Sequence, residues 1–217
     1  MIASLFDDEQ IPSTPRDILG AGTAFLAGFA LNGEAELIAS LKSVVEQSPF
    51  RNMTTPGGLR MSVAMSNCGP LGWISDRKGY RYSPIDPETN HPWPAMPAPF
   101  KELAQKAASE AGFQNFVPDA CLINRYEPGT KLSLHQDKDE HDFTQPIVSV
   151  SLGLPATFLF GGLSRADKTI RIALVHADVV AWGGPARLRY HGVAPLRHGE
   201  HPLLGPYRFN LTFRKAG

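Results

Sequence analysis

The stretch Leu134-His135-Gln136-Asp137-Lys138-Asp139-Glu140 places an imidazole and a carboxylate two residues apart, with a second carboxylate two further on. In an extended strand, side chains at i and i+2 share a face. His135, Asp137 and Asp139 can therefore project one way while Gln136 and Lys138 project the other. A His and an Asp converging on one point supply two thirds of a facial triad, the arrangement that holds Fe(II) and leaves coordination positions open. The third ligand has to come from elsewhere in the chain.

Spacing alone does not single this triplet out, because His176-Ala177-Asp178 repeats it. Either could also be a solvated polar strand end, so the choice rests on the surrounding sequence. The 217 residues are enough for one domain with a substantial core. A formal net charge of zero argues against a histone-like or tail-driven nucleic-acid binder, though not against a local basic patch. Cys68 and Cys121 stand alone, without CxxC spacing, which suits a reducing compartment. The acidic start at Asp7, Asp8 and Glu9 does not resemble a secretory leader, and no apolar run approaches a membrane span. The expectation is a soluble, cytoplasmic monomer with no membrane partner.

Residues 1–22 read as a loosely held arm. A helix is expected from Asn32, a good N-cap, to Ser48, with Leu37, Ile38, Leu41, Val44 and Val45 forming one apolar stripe ahead of Pro49. A second is expected over residues 98–111, ended by Gly112. Between them Thr55-Pro56-Gly57-Gly58 signals a hairpin turn followed by a strand from Met61 to Ser66. A loop then carries Trp73, Tyr80 and Tyr82 interleaved with Arg77, Lys78 and Arg81, and leads into a proline-rich run over residues 84–99. Aromatics alternating with cations suit stacking on bases and pairing with phosphates, but they could equally pin the loop to the body.

From residue 119 the pattern turns all-β. Strands are expected over 120–126, 131–137, 146–152, 156–160, 168–174, 178–182, 187–193 and 207–214, a spacing that implies a sandwich, jelly roll or barrel. In the last of these, Tyr207, Phe209, Leu211 and Phe213 alternate with Arg208, Asn210, Thr212 and Arg214. The polar face could meet water. Turned into a roll, its two guanidiniums would instead make a site for a small dianion, since the arginine fork matches carboxylate geometry. Asn124 and Tyr126 share a face on another strand.

Taken together these residues resemble the Fe(II)- and 2-oxoglutarate-dependent dioxygenases, and within that family the enzymes that repair alkylated nucleic acid. The likeness runs from about Gln47 to Ala216. It is closest in Asn124-Arg125-Tyr126, in residues 131–139, in Ser149-Val150-Ser151-Leu152-Gly153, in Tyr190-His191-Gly192 and in residues 210–214.

The resemblance implies a mainly β protein with flanking helices (α+β), built on a double-stranded β-helix, or jelly roll. Residues 119–217 would form the catalytic core. Residues 1–118 would form an arm, helices and a nucleotide-recognition lid in the same single domain, 1–217. It implies His135, Asp137 and His191 as iron ligands, leaving His176 and Asp178 in a turn. It gives Asn124, Tyr126, Arg208, Asn210 and Arg214 to 2-oxoglutarate, with Arg208 on the distal carboxylate and Arg214 near the metal. Trp73, Tyr80, Tyr82, Asp139 and Arg165 would contact the damaged nucleotide. The expected reaction consumes O2 and 2-oxoglutarate and removes N-methyl groups from bases such as 1-methyladenine and 3-methylcytosine in single- or double-stranded DNA, or in RNA. Succinate and formaldehyde are the products. The rival outcomes are a 2-oxoglutarate hydroxylase of proteins or small molecules and a metal-binding cupin-like module without turnover. Leu59 departs from the pattern, lacking the aromatic expected there.

Overall fold

The computed structural model describes residues 19–217. The arm predicted over residues 1–22 lies largely outside the described residues. Two sheets face one another. The larger has the order β1(Thr23–Leu26), β10(Val179–Trp182), β7(Ile147–Gly153), β12(Arg208–Arg214), β5(Ala120–Tyr126), β2(Ala64–Cys68). The smaller has the order β6(Leu132–His135), β11(His191–Val193), β8(Ala156–Phe160), β9(Ile170–Leu174). All the pairings within these two sheets are antiparallel. This is the expected jelly roll, but its larger sheet takes β1 and β2 from residues before 119.

Alternation divides each central strand between two cores. Cys121, Ile123, Leu211 and Phe213 face outward to the helices α1(Glu34–Gln47) and α2(Ala98–Glu110), and Leu37, Leu41, Val44, Phe100 and Ala104 close that side. Leu122 and Tyr126 face inward with Trp182 of the same sheet, where Phe158, Phe160 and Val193 from the facing strands join them. All seven residues of β12 are buried. Its polar face is therefore turned into the roll, toward the smaller sheet.

Local chemistry explains where the elements end. The first helix begins at Glu34, not Asn32, because Leu31–Gly33 form a 3-10 turn ahead of it. Gly112, at φ 90°, supplies the left-handed residue after the second. The predicted strand 187–193 shrinks to its last three residues, because the 3-10 turn Gly184–Ala186 carries the chain inward at Arg187. The expected strand Met61–Ser66 is displaced to Ala64–Cys68.

The clearest departure is the aromatic loop. It is a hairpin, β3(Gly72–Asp76) and β4(Gly79–Ser83), turned by Arg77-Lys78 with Gly79 at φ 120°. Trp73 and Tyr82 are directly paired across it. Between Ser83 and Ala98 the proline-rich run forms no strand or helix, as expected. No helix among the described residues is long and apolar enough to cross a membrane.

Candidate active site

A cavity of about 550 Å³ opens between the sheets. His135 closes β6 and His191 opens β11, directly opposite one another in the ladder, with ring centroids 4.4 Å apart. Asp137 follows two residues after His135. Its Oδ1 lies 3.6 Å from His135 Nε2 and its Oδ2 lies 3.7 Å from His191 Nε2. Among the described residues this is the one group of three or more His, Cys, Asp or Glu side chains whose donor atoms converge within 4.8 Å. The ring tautomers suit a metal. His135 Nδ1 faces the Ser133 carbonyl at 2.9 Å and His191 Nδ1 faces the Arg189 carbonyl at 3.1 Å. Each carbonyl requires an N–H at Nδ1, which leaves both Nε2 lone pairs directed at the shared point. Gly192 lets the histidine strands approach, since a Cβ there would stand 2.6 Å from the Leu132 carbonyl oxygen.

The electrostatics hold the acid ionised and the base neutral. Burial would raise the Asp137 pKa, but the Arg214 guanidinium, with His191 and His135, overrides it and keeps the carboxyl far below the usual range. Arg214 donates from Nε at 3.0 Å and Nη2 at 2.7 Å to Asp137 Oδ2. His191 is pushed down to about 3, first by burial and then by His135, with Asp137 opposing.

Deeper in the roll lies a cradle of donors. Arg208 is buried on the ring of Tyr126, its guanidinium carbon 4.9 Å from the ring centroid, and Nη2 donates to Ser151 Oγ at 3.0 Å. Its Nε and Nη1 have no protein partner; the same holds for Tyr126 OH, Asn124 Oδ1 and Arg214 Nη1. Buried polar atoms are almost always paired. The unpaired donors among them, on Arg208, Arg214 and Tyr126, are what a small dicarboxylate would satisfy. Asn210 is positioned by Ser149 Oγ, which accepts from its Nδ2 at 2.8 Å, and by the Thr212 hydroxyl, which donates to its Oδ1 at 2.9 Å. Thr212 belongs to the polar face of β12 already read from the alternation, whereas Ser149 and Ser151 carry no role in the sequence reading; their signal is the matching polar face of β7.

At the mouth the hairpin supplies a stacked pair, Trp73 on Tyr80, with centroids 5.5 Å apart and planes 14° from parallel. Trp73 Nε1 donates to Asp139 Oδ2 at 2.8 Å. Arg165 also lines the cavity, its guanidinium 5.5 Å over the Tyr190 ring. Tyr82 does not line it. Its hydroxyl turns inward and donates to Glu140 Oε1 at 2.7 Å. The competing triplet is structural. His176 Nδ1 accepts the Gly153 N–H at 2.8 Å, and the Asp178 carboxylate accepts from the backbone of Gly28 and Val175.

A two-histidine, one-carboxylate site inside a jelly roll, beside a buried arginine cradle, defines a non-haem iron oxygenase. The family model described as the 2OG-Fe(II) oxygenase superfamily matches residues 22–214. The chain belongs to that family, whose members use Fe(II), 2-oxoglutarate and O2. It is 62% identical over 199 residues, 92% of each chain, to the alpha-ketoglutarate-dependent dioxygenase AlkB of Escherichia coli K12. To the Salmonella typhimurium AlkB it is 56% identical over 212 residues, 98% of this chain and 97% of that one. The solved structure of OsALKBH1 superimposes with a TM-score of 0.76 at 30% identity, covering 90% of this chain and 99% of that one.

The depressed His191 pKa gives a pH signature. Between its ordinary 6.5 and about 3, the unfolded chain binds a proton at this residue that the folded chain excludes. The stability it contributes is full above 6.5 and is lost as the pH falls through that window. Urea unfolding of chelator-treated protein should show stability declining below pH 6.5 at a rate to which this group adds on the order of 1 kcal/mol per pH unit. A His191→Gln variant should decline less steeply, and an identical slope would show that the imidazole titrates freely.

Proposed function

We propose that this dioxygenase oxidatively demethylates N-alkylated bases in nucleic acid, with His135, Asp137 and His191 holding the iron. The observation that carries the reading is the stacked Trp73–Tyr80 pair beside Asp139, lining the same cavity as His135, Asp137 and His191. Base chemistry inside a protein requires the nucleotide to be extruded from its stack, at a cost of a few kcal/mol, and received by aromatic faces. That cost is least for single strands. The hairpin that carries these aromatics acts as the nucleotide-recognition lid.

The iron and co-substrate, when bound, supply an oxidant that hydroxylates the N-methyl carbon; the hydroxymethyl product then loses formaldehyde. The protein's own work is placement. Arg208 and Tyr126, with Asn124, receive the far carboxylate of 2-oxoglutarate at the deep end. Arg214 and Asn210 serve the end nearer Asp137. Arg214 also keeps Asp137 ionised, so metal binding displaces no proton from it. The base stacks on Trp73 and the ligand His135, with Tyr80 behind Trp73 and Arg165 at the rim. We read the protein as a cytoplasmic monomer acting on methylated DNA or RNA.

The decisive assay is Fe(II)-dependent succinate and formaldehyde release, with and without an oligonucleotide carrying 1-methyladenine. Release stimulated by that oligonucleotide is expected; stimulation by a protein extract alone would support the rival hydroxylase. Calorimetry with Mn(II) should find binding abolished in His135→Ala, Asp137→Ala and His191→Ala and kept in His176→Ala. Undiminished affinity in the His191 variant would remove it from the ligand set.

Arg208→Ala should raise the Michaelis constant for 2-oxoglutarate tenfold or more while leaving oligonucleotide affinity near the parent's. A charge-assisted bond to a buried carboxylate is worth about 1.5–3 kcal/mol. An unchanged constant would exclude Arg208 from the cradle.

Methylation at N1 of adenine or N3 of cytosine fixes a positive charge on the base, whereas methylated thymine is neutral. Asp139 holds a carboxylate against Trp73, where attraction to a cationic base exceeds its value in water. Asp139→Asn keeps an acceptor for the Trp73 N–H and removes the charge. It should lower kcat/KM on 1-methyladenine and 3-methylcytosine while sparing 3-methylthymine. A cationic-to-neutral ratio equal to the parent's would show that Asp139 does not read charge.

A further inference from the structure

Glu140 lies outside the ligand set, the cradle and the cavity wall, yet its side chain is only 2% exposed and holds three partners. Its Oε1 accepts the Tyr82 hydroxyl at 2.7 Å and lies 3.3 Å from Arg214 Nε. Its Oε2 accepts from Arg187 Nη2 at 3.0 Å. Arg187, equally buried, donates from Nη1 to the Asp137 carbonyl at 2.7 Å and from Nε to the Gln145 carbonyl at 3.0 Å. Two carboxylates, Asp137 and Glu140, thus share Arg214, and Arg187 supplies the second cation.

Stability does not explain this arrangement, since replacing a buried ion pair by well-packed apolar residues is often neutral or favourable. What distinguishes Glu140 is where its partners come from. Tyr82 belongs to β4 of the hairpin and faces Trp73 across the ladder. Arg214 ends β12 and keeps Nη1 free of protein partners. Arg187 holds the backbone of Asp137 itself. One carboxylate is bonded at once to the aromatic hairpin, to the cradle and, through Arg187, to the ligand segment.

We propose that Glu140 is a positioning residue that couples the base-binding hairpin to the co-substrate cradle, with Tyr82 as the connecting strut. A base that stacks on Trp73 shifts the strand pair, and with it the Tyr82 hydroxyl. The Glu140 carboxylate at the far end of that bond is almost fully buried and pinned by two guanidiniums, so the displacement passes to Glu140 and to Arg214, which it shares with Asp137. Occupancy of either site then changes the affinity of the other by the same factor, as linkage requires. Tyr82 accordingly acts through Glu140 and does not touch the base. The inference rests on the assignment of Arg214 to 2-oxoglutarate.

The test is calorimetric. 2-Oxoglutarate is titrated into the Mn(II)-loaded protein, alone and with a single-stranded 1-methyladenine oligonucleotide at a concentration shown by fluorescence anisotropy to saturate each variant. In the parent the two dissociation constants should differ by about fivefold or more. In Tyr82→Phe the ratio should fall to near one. Glu140→Gln should show the same collapse and, by releasing Arg214, weaker co-substrate binding even without oligonucleotide; if this buried variant does not fold, Tyr82→Phe decides alone. A parent ratio of one, or a ratio unchanged in Tyr82→Phe, overturns the proposal. So does a Tyr82→Phe protein that cannot be saturated, which would make Tyr82 a direct base contact. Failure of the parent to bind 2-oxoglutarate at all would instead sink the assignment of the cradle, so the two failures are distinguishable.

Discussion

The Asp137 carboxylate, held by Arg214 in the cleft between the sheets, is the interaction on which the rest of the site depends. It lies just beyond the end of β6 and meets a guanidinium from the end of β12, so the pair ties the smaller sheet to the larger one. Burying a carboxylate among two imidazoles is costly unless a cation compensates it. Arg214 provides that cation with two donors on one oxygen. The same contact leaves the second carboxylate oxygen, Oδ1, turned toward His135.

The consequence is a division of labour along β12. Arg208 and Arg214 stand at opposite ends of one buried face, with Asn210 and Thr212 between them. Arg208 is the less compensated. Burial lowers its pKa and Tyr126 only partly opposes this, whereas Asp137, Tyr82 and Glu140 more than offset burial at Arg214. An undercompensated guanidinium with orphaned donors is prepared for an anion from outside. A compensated one is prepared to orient its neighbours. The two arginines look alike in sequence and differ only in what surrounds them.

Period-two alternation made much of this legible beforehand. It identified the polar face of β12, the shared face of Asn124 and Tyr126, and the placement of His135 two residues from Asp137. Local signals served less well for the hairpin, where Trp73, Tyr80 and Tyr82 sit on strands of five residues joined by Arg77-Lys78, a turn without the usual Asn-Gly signature. Contacts between distant residues were not legible at all. Glu140 reads as one charge in the run Lys138-Asp139-Glu140, and Arg187 as a residue after a glycine turn. Only folding brings Glu140 to Tyr82, 58 positions away, and to Arg187, 47 positions away.

That difference has a physical origin. A ligand set demands fixed residue types at fixed offsets on one strand, so part of it can be read along the chain. A charge-sharing network demands only that donors and acceptors meet where water is excluded, and many chain positions satisfy that once the backbone is given. The first kind of constraint fixes what the site can bind. The second fixes how its parts respond to one another. In this protein both pass through Arg214, which pairs with Asp137 on one side and with Glu140 on the other. A single side chain thereby joins the chemistry inherited from the family to the mechanical connection with the hairpin above it.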